Sequence, residues 1–174
     1  QVLRDARVEC AVLETARGGI LRRGLAVSDA DVAVVTSIAA DHFGEYGVHD
    51  LAGLAEVKLA VARALSGDGL LVANADDVTL ARAAPQAGKP LAWFARDAGQ
   101  RSLAAHRAAG GAACAVADGR LLLTQGGAGH DLGAVAAMPL AAGGHSAFNV
   151  SNLAAAALAA AQLRIAPAAI AAVF

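Results

Sequence analysis

Four short apolar runs, separated by stretches of a different periodicity, constrain this chain more than any other feature. They are residues 8–13 (VECAVL), 31–37 (DVAVVTS), 69–73 (GLLVA) and 90–94 (PLAWF). Runs apolar on both faces read as buried parallel strands. After Asp50, a good N-cap, Leu51, Leu54, Val57, Val61 and Leu65 recur at helical spacing. A helix is therefore expected over 51–66, stopped by Gly67 and Gly69. A short helix is expected over 78–84. The stretch ETARGGILRRGL, between the first two runs, reads as a loop carrying Gly18 and Gly19. Strands alternating with helices predict an α/β fold built on a mostly parallel sheet flanked by helices.

The pattern changes after residue 98. A short helix over 102–109 leads to two runs, 112–117 and 120–124, joined by Asp118-Gly119. Asp-Gly suits a type I′ turn, so a β-hairpin is expected, giving a small antiparallel β element. Residues 132–140 are expected to add a strand, and Gly126 to Gly129 to form a loop. Gly143-Gly144 breaks the chain before an Ala-rich helix over 149–163, and Pro167 opens a last helix.

Composition bounds the function. Lys and Arg total 14 and Asp and Glu 15, a net charge of -1, which argues against a nucleic-acid or membrane-surface protein. Apolar residues make up 57% and aromatics 3%, so the core must come from Ala, Val and Leu. Cys10 and Cys114 form no CxxC, which suits a reducing, cytoplasmic setting. The run 153–161 is too short and too interrupted to span a bilayer. No signal peptide is visible, because Arg4, Asp5, Arg7 and Glu9 precede any apolar run.

In open α/β sheets, ligands bind beyond the carboxyl ends of the strands. Glu14 follows the first run, Asp41 and His42 lie just beyond the second, and Asn74, Asp76 and Asp77 follow the third. Glu14 and His42 could jointly bind a divalent metal. Equally, Glu14 can cap the loop after it, and Asp41-His42 can be a solvated loop. Lys58 sits beside the apolar stripe of its helix. It reads either as a snorkelling surface lysine or as one directed toward the strand ends. His106, His130 and His145 read as loop or surface residues, and Arg22-Arg23 as a surface pair. Neither a GxxxxGK[ST] nor a GxGxxG motif is present.

Several ordered motifs together carry a family resemblance. ETARGGILRRGL, then DVAVVTSIAADHFGEYGVHDLAGLAEVK, then LLVANADD resemble the ATP-binding central domain of the Mur ligase family, and more closely its cyanophycin synthetase branch. SLAAHRAAGGAACAVADGRLLL and the pattern GG-x-x-x-F-N-V-x-N, from Gly143 to Asn152, are similar to that branch too. The resemblance implies a P-loop NTPase-like α/β fold and an ATP- and Mg²⁺-dependent ligase that joins a carboxylate to an amine through an acyl phosphate. It implies a polymer of aspartate and arginine as product. Glu14 matches the carboxylate holding the magnesium that bridges the ATP phosphates, and His42 a ligand of a second magnesium. Lys58 matches a lysine that, when carbamylated, becomes an oxygen ligand for that second metal. Asn149 and Asn152 match the N-x-x-N whose second Asn contacts adenine, an edge an amide suits because it donates and accepts together. Ser37 departs from the family's frequent Asn, and Phe148 from its frequent His.

The chain is expected to be part of such a central domain: a parallel α/β part over 1–98, a hairpin and small β part over 99–142, and C-terminal helices over 143–174. The phosphate loop would lie upstream and the C-terminal ligase domain downstream. The isolated chain is then expected to be inactive and to show an exposed sheet edge with an apolar patch. The parent would take an amino-acid or peptide substrate, form a homo-oligomer, and bind neither nucleic acid nor membrane. Rival readings are another Mur-type ligase, acting on muramyl peptides or poly-glutamate, and a non-catalytic nucleotide-binding module.

Overall fold

The computed structural model describes residues 2–40 and 43–174. A six-stranded sheet runs through it with its strands in chain order: β1 (Ala30–Val35), β2 (Leu65–Asn74), β3 (Leu91–Ala95), β4 (Ala113–Ala117), β5 (Arg120–Gln125) and β6 (Ala128–Ala134). The first four are parallel, and β5 and β6 return antiparallel. The helices are α1 (Arg17–Arg23), α2 (Leu51–Leu59), α3 (Val78–Ala83), α4 (Arg101–Ala108), α5 (Ala147–Gln162) and α6 (Pro167–Val173). This is the mostly parallel α/β sheet with an antiparallel element that the apolar runs predict.

Strand order dictates which face each helix covers. Right-handed crossovers that step repeatedly in one direction place every connecting helix on the same side. Accordingly Leu54 of α2, Leu80 of α3 and Leu103 of α4 share one core with Leu71, Ala73, Trp93 and Ala95 of the sheet. The alternate strand residues, Leu70, Val72, Ala92, Phe94 and Cys114, face a second core. There α5 contributes Val150, Leu153, Leu158 and its buried alanines, and α6 contributes Ile170. In a chain poor in aromatics, Trp93 and Phe94 serve opposite faces of β3, one to each core.

Local chemistry explains the joints. Asp50 caps α2 by accepting from the Gly53 N–H at 2.8 Å. Asp118 and Gly119 adopt φ of 49° and 72°, the pair of positive values that a type I′ hairpin turn requires. Gly110, at φ 83°, ends α4. Its N–H bonds the Arg107 carbonyl and the Gly111 N–H bonds the His106 carbonyl, a Schellman closure.

Five expectations need correcting. Residues 8–13 form no strand: β1 pairs only with β2, the run has no ladder partner, and Val12 is 96% exposed. Leu13 and the 41% exposed Val34 of the edge strand β1 line one cavity, an apolar surface of the kind expected beside an open β1 edge. Residues 17–23 form α1 rather than a loop, closed by a bond from the Gly24 N–H to the Ile20 carbonyl. The helix expected to reach residue 66 stops at Leu59, tightens into a 3-10 turn over Ala60–Ala64, and gives way to β2 at Leu65. The strand expected over 132–140 lies earlier, at Ala128–Ala134, because Gly126 and Gly127 (φ 57° and 79°) make a second tight hairpin. Two short 3-10 segments, Val135–Ala137 and Pro139–Gly144, come after it. Finally, His106 lies on α4 with its Nε2 buried and unpartnered, its ring against Gly111.

Two glycines test this packing. A Cβ on Gly69 would sit 2.9 Å from the Ser66 carbonyl oxygen and 3.1 Å from that of Ala30. Gly69→Ala is therefore expected to cost about 1–3 kcal/mol. Gly19, in α1, has nothing within 4 Å of its Cβ position, so Gly19→Ala should stabilise by about 0.5–1 kcal/mol. Thermal denaturation of the two variants should move in opposite directions.

Candidate active site

The carboxyl ends of β1, β2 and β3 are stitched together by the polar run at the end of β2. The Asn74 side-chain amide donates to the Thr36 carbonyl at 3.0 Å, and its Oδ1 accepts from the Asp76 N–H at 2.9 Å. Asp77 accepts from the Ile38 N–H at 2.6 Å and from the Leu80 N–H at 3.0 Å, so one carboxylate both tethers the segment after β1 and caps α3. Asp76 accepts from the Arg96 backbone N–H at 2.8 Å, just beyond β3. Gln100 reaches back to the Ala75 carbonyl at 3.0 Å. Asn74 and Asp77, candidates for chemistry by position, thus bond the backbone, as does Asp76, which also accepts from the Arg96 side-chain Nε at 3.4 Å.

Beside this seam lies a cavity of about 450 Å³. Its walls come from the extended segment before α1 (Leu13, Glu14, Thr15, Ala16), from Val34 to Ser37 at the end of β1, and from Leu54, Lys58 and Val61 on the helical stretch beyond Asp50. Glu14 and Lys58 therefore meet at one cavity. Glu14 arrives from an exposed extended segment and not from a strand end. Lys58 is half-buried, and its ammonium donates to the Ser37 carbonyl at 2.8 Å. Its head turns to the end of β1, the second of the two readings of its sequence position. Arg17 also lines the cavity, a contribution that residue spacing did not single out. Asp41 and His42 lie outside the described residues.

The donor set can be tested against magnesium. Among the described residues, no three His, Cys, Asp or Glu side chains stand together, so an all-protein metal cage is not built here. Mg²⁺ needs none: it keeps several waters and takes one or two carboxylates plus phosphate oxygens. Glu14, exposed on a cavity open to solvent, fits that mode.

The two asparagines of α5 stand apart from this cavity and line neither it nor a second one, of about 350 Å³, that includes Arg96, Val116, Gly143, Gly144 and Val150. The Asn149 side-chain amide donates to the Leu140 carbonyl at 2.7 Å, fixing the turn that enters α5. Asn152, nearly one turn on, is exposed. Cys114 is buried in the second core, where burial pushes its thiol pKa up and keeps it from acting as a nucleophile. Among the described residues, no helix is long and apolar enough to cross a membrane.

Because Asp77 holds both a cap and the segment after β1, Asp77→Ala is expected to cost about 2 kcal/mol. The corresponding fall in Tm, read by calorimetry, is about 4–8 °C. A fall under about 1 °C would mean that the tether to Ile38 contributes nothing.

Comparison with known proteins agrees with this architecture. The Mur ligase middle domain family matches residues 1–160. Cyanophycin synthetases from a Nostoc species and from Trichormus variabilis are each 39% identical to the chain over 159 residues. One from Crocosphaera subtropica is 36% identical over 159 residues. Each alignment covers 91% of this chain but 18% of the relative, so the chain spans under a fifth of the length of these relatives. With nearly its whole length matched and a mostly parallel sheet to go with the match, the chain belongs to the Mur ligase middle domain family.

Proposed function

We propose that this chain is the nucleotide-handling middle domain of an ATP-dependent carboxylate–amine ligase most like cyanophycin synthetase. The observation that carries the reading is the convergence of Glu14 and Lys58 on one cavity at the carboxyl end of β1, in a chain 36–39% identical to those synthetases. In the reaction, a substrate carboxylate oxygen attacks the γ-phosphorus of ATP, giving an acyl phosphate and ADP. An amine nitrogen then attacks the acyl carbon, the C–O bond to phosphate breaks, and an amide forms. Aspartate and arginine are the proposed substrates, and the cytoplasm the proposed setting.

Magnesium, when bound, would neutralise charge on the phosphate oxygens as the phosphoryl group transfers. Glu14 is the residue proposed to hold it, and His42 is proposed as a ligand of a second ion. Lys58, as an ammonium, brackets the end of β1 through Ser37. As a carbamate it would supply an oxygen ligand instead. Asn152 is proposed to read the adenine edge, with Asn149 ordering the turn before it.

In the full-length parent, Glu14→Ala is expected to lower ATP turnover roughly a thousand-fold. Unchanged turnover would support the non-catalytic module. Turnover that needs a muramyl substrate and ignores Asp and Arg would point to another Mur-type ligase. The isolated chain should form no ADP, and a coupled ADP assay checks this.

A further inference from the structure

The cavity of about 350 Å³ opens beyond the carboxyl ends of β3 and β4, on the side of the sheet that α5 covers. Its walls include Val116, Val135 and Val150, all packed in the second core, so the cavity is an open mouth of that core. Gly144 also lines it and brings no side chain to fill it; a Cβ there would sit 3.8 Å from Val135 Cγ1. No residue lines both this cavity and the one shared by Glu14 and Lys58. The Asn152 side of α5 faces away from it. At 3.6 residues per turn, Asn152 lies about 170° round the helix from the midpoint of Ala147 and Val150, the α5 residues of the cavity.

Arg96 is the charged residue of the lining, and it is only half committed. Its backbone N–H and its Nε both go to Asp76, at 2.8 and 3.4 Å. Among the described residues its two terminal nitrogens make no hydrogen bond, and its side chain is 58% exposed. With the Nε turned to Asp76, the edge left over is a fork of two parallel N–H groups, which matches the two oxygens of a carboxylate. A cavity at the small end of the range for ligand sites, with branched apolar walls and one guanidinium, suits a compact molecule with an anionic head and an aliphatic body. We propose that this cavity binds a small aliphatic carboxylate, its head in the fork of Arg96 and its body against Val116, Val135 and Val150.

The probe is isovalerate, titrated into the full-length parent and followed by saturation-transfer NMR. Saturable binding is expected, and Arg96→Gln should weaken it about ten-fold. Asp76→Asn should strengthen it, because the carboxylate that competes for the guanidinium becomes a neutral amide. Ala136 lines the cavity and is exposed, so Ala136→Trp should abolish binding by filling the space while Arg96 stays in place. Arg96 and Ala136 are both exposed, so neither variant should alter Tm. Isovaleramide, which lacks the charge, and acetate, which lacks the body, should each bind more weakly than isovalerate. A parent that shows no saturable isovalerate binding would overturn the inference. So would binding that Arg96→Gln and Ala136→Trp leave unchanged. Displacement of isovalerate by an equal concentration of inorganic phosphate would overturn it as well, because the site would then take any anion. None of these results involves Glu14 or ATP turnover, so the ligase reading stands or falls separately.

Discussion

The hydrogen bonds from Asn74 and Asp77 to the backbone after β1 are the constraint on which the site depends. β1 is an edge strand whose only ladder partner is β2, and the residues just beyond its end have no ladder partner among the described residues. Without the 3.0 Å bond to Thr36 and the 2.6 Å bond to Ile38, that segment would have little to fix its path. Because Asp77 also caps α3, the position of β1's end is coupled to the first core through Leu80. Lys58 adds a third tie through Ser37, from the helix on the other side of the cavity. The cavity walls are thus set by backbone contacts from three elements, a rigid base for residues that must be held to within a fraction of an ångström.

Strand order serves the same end. With β1 to β4 parallel and their crossovers on one face, the carboxyl ends of four strands open in one direction. The opposite face is left free for α5, which crosses the strands and presents its polar and aromatic side outward. The antiparallel return of β5 and β6 lets one chain build both layers without a long connection.

Much of this was legible in the residues. Alternation of apolar runs with helical spacing specified the α/β class, because burial on both faces leaves few other ways to pack such runs. Asp50 and Asp118-Gly119 were readable because each encodes a local hydrogen bond or a backbone angle. Residues 8–13 misled for the complementary reason: an apolar run records the wish to be buried, not the presence of a neighbouring strand. The early end of α2 and the shifted β6 arise from tertiary register, set by the close approach of Gly69 to Ala30 and by the Gly126-Gly127 turn. At the site, the sequence marked Asn74, Asp76 and Asp77 as polar groups at a strand end, but not that most of their partners are backbone atoms. The meeting of Glu14 with Lys58 is a property of packing between segments over forty residues apart, which spacing does not encode.

The central claim is that Glu14 faces bound magnesium-nucleotide in the cavity it shares with Lys58. The most direct measurement is a crystal structure of the full-length parent with a non-hydrolysable ATP analogue and manganese in place of magnesium, the metal located by anomalous scattering. The account predicts a metal peak within about 2.2 Å of a Glu14 carboxylate oxygen, in contact with phosphate oxygens and inside this cavity. A metal seated on the nucleotide elsewhere, with Glu14 turned to solvent, would contradict it.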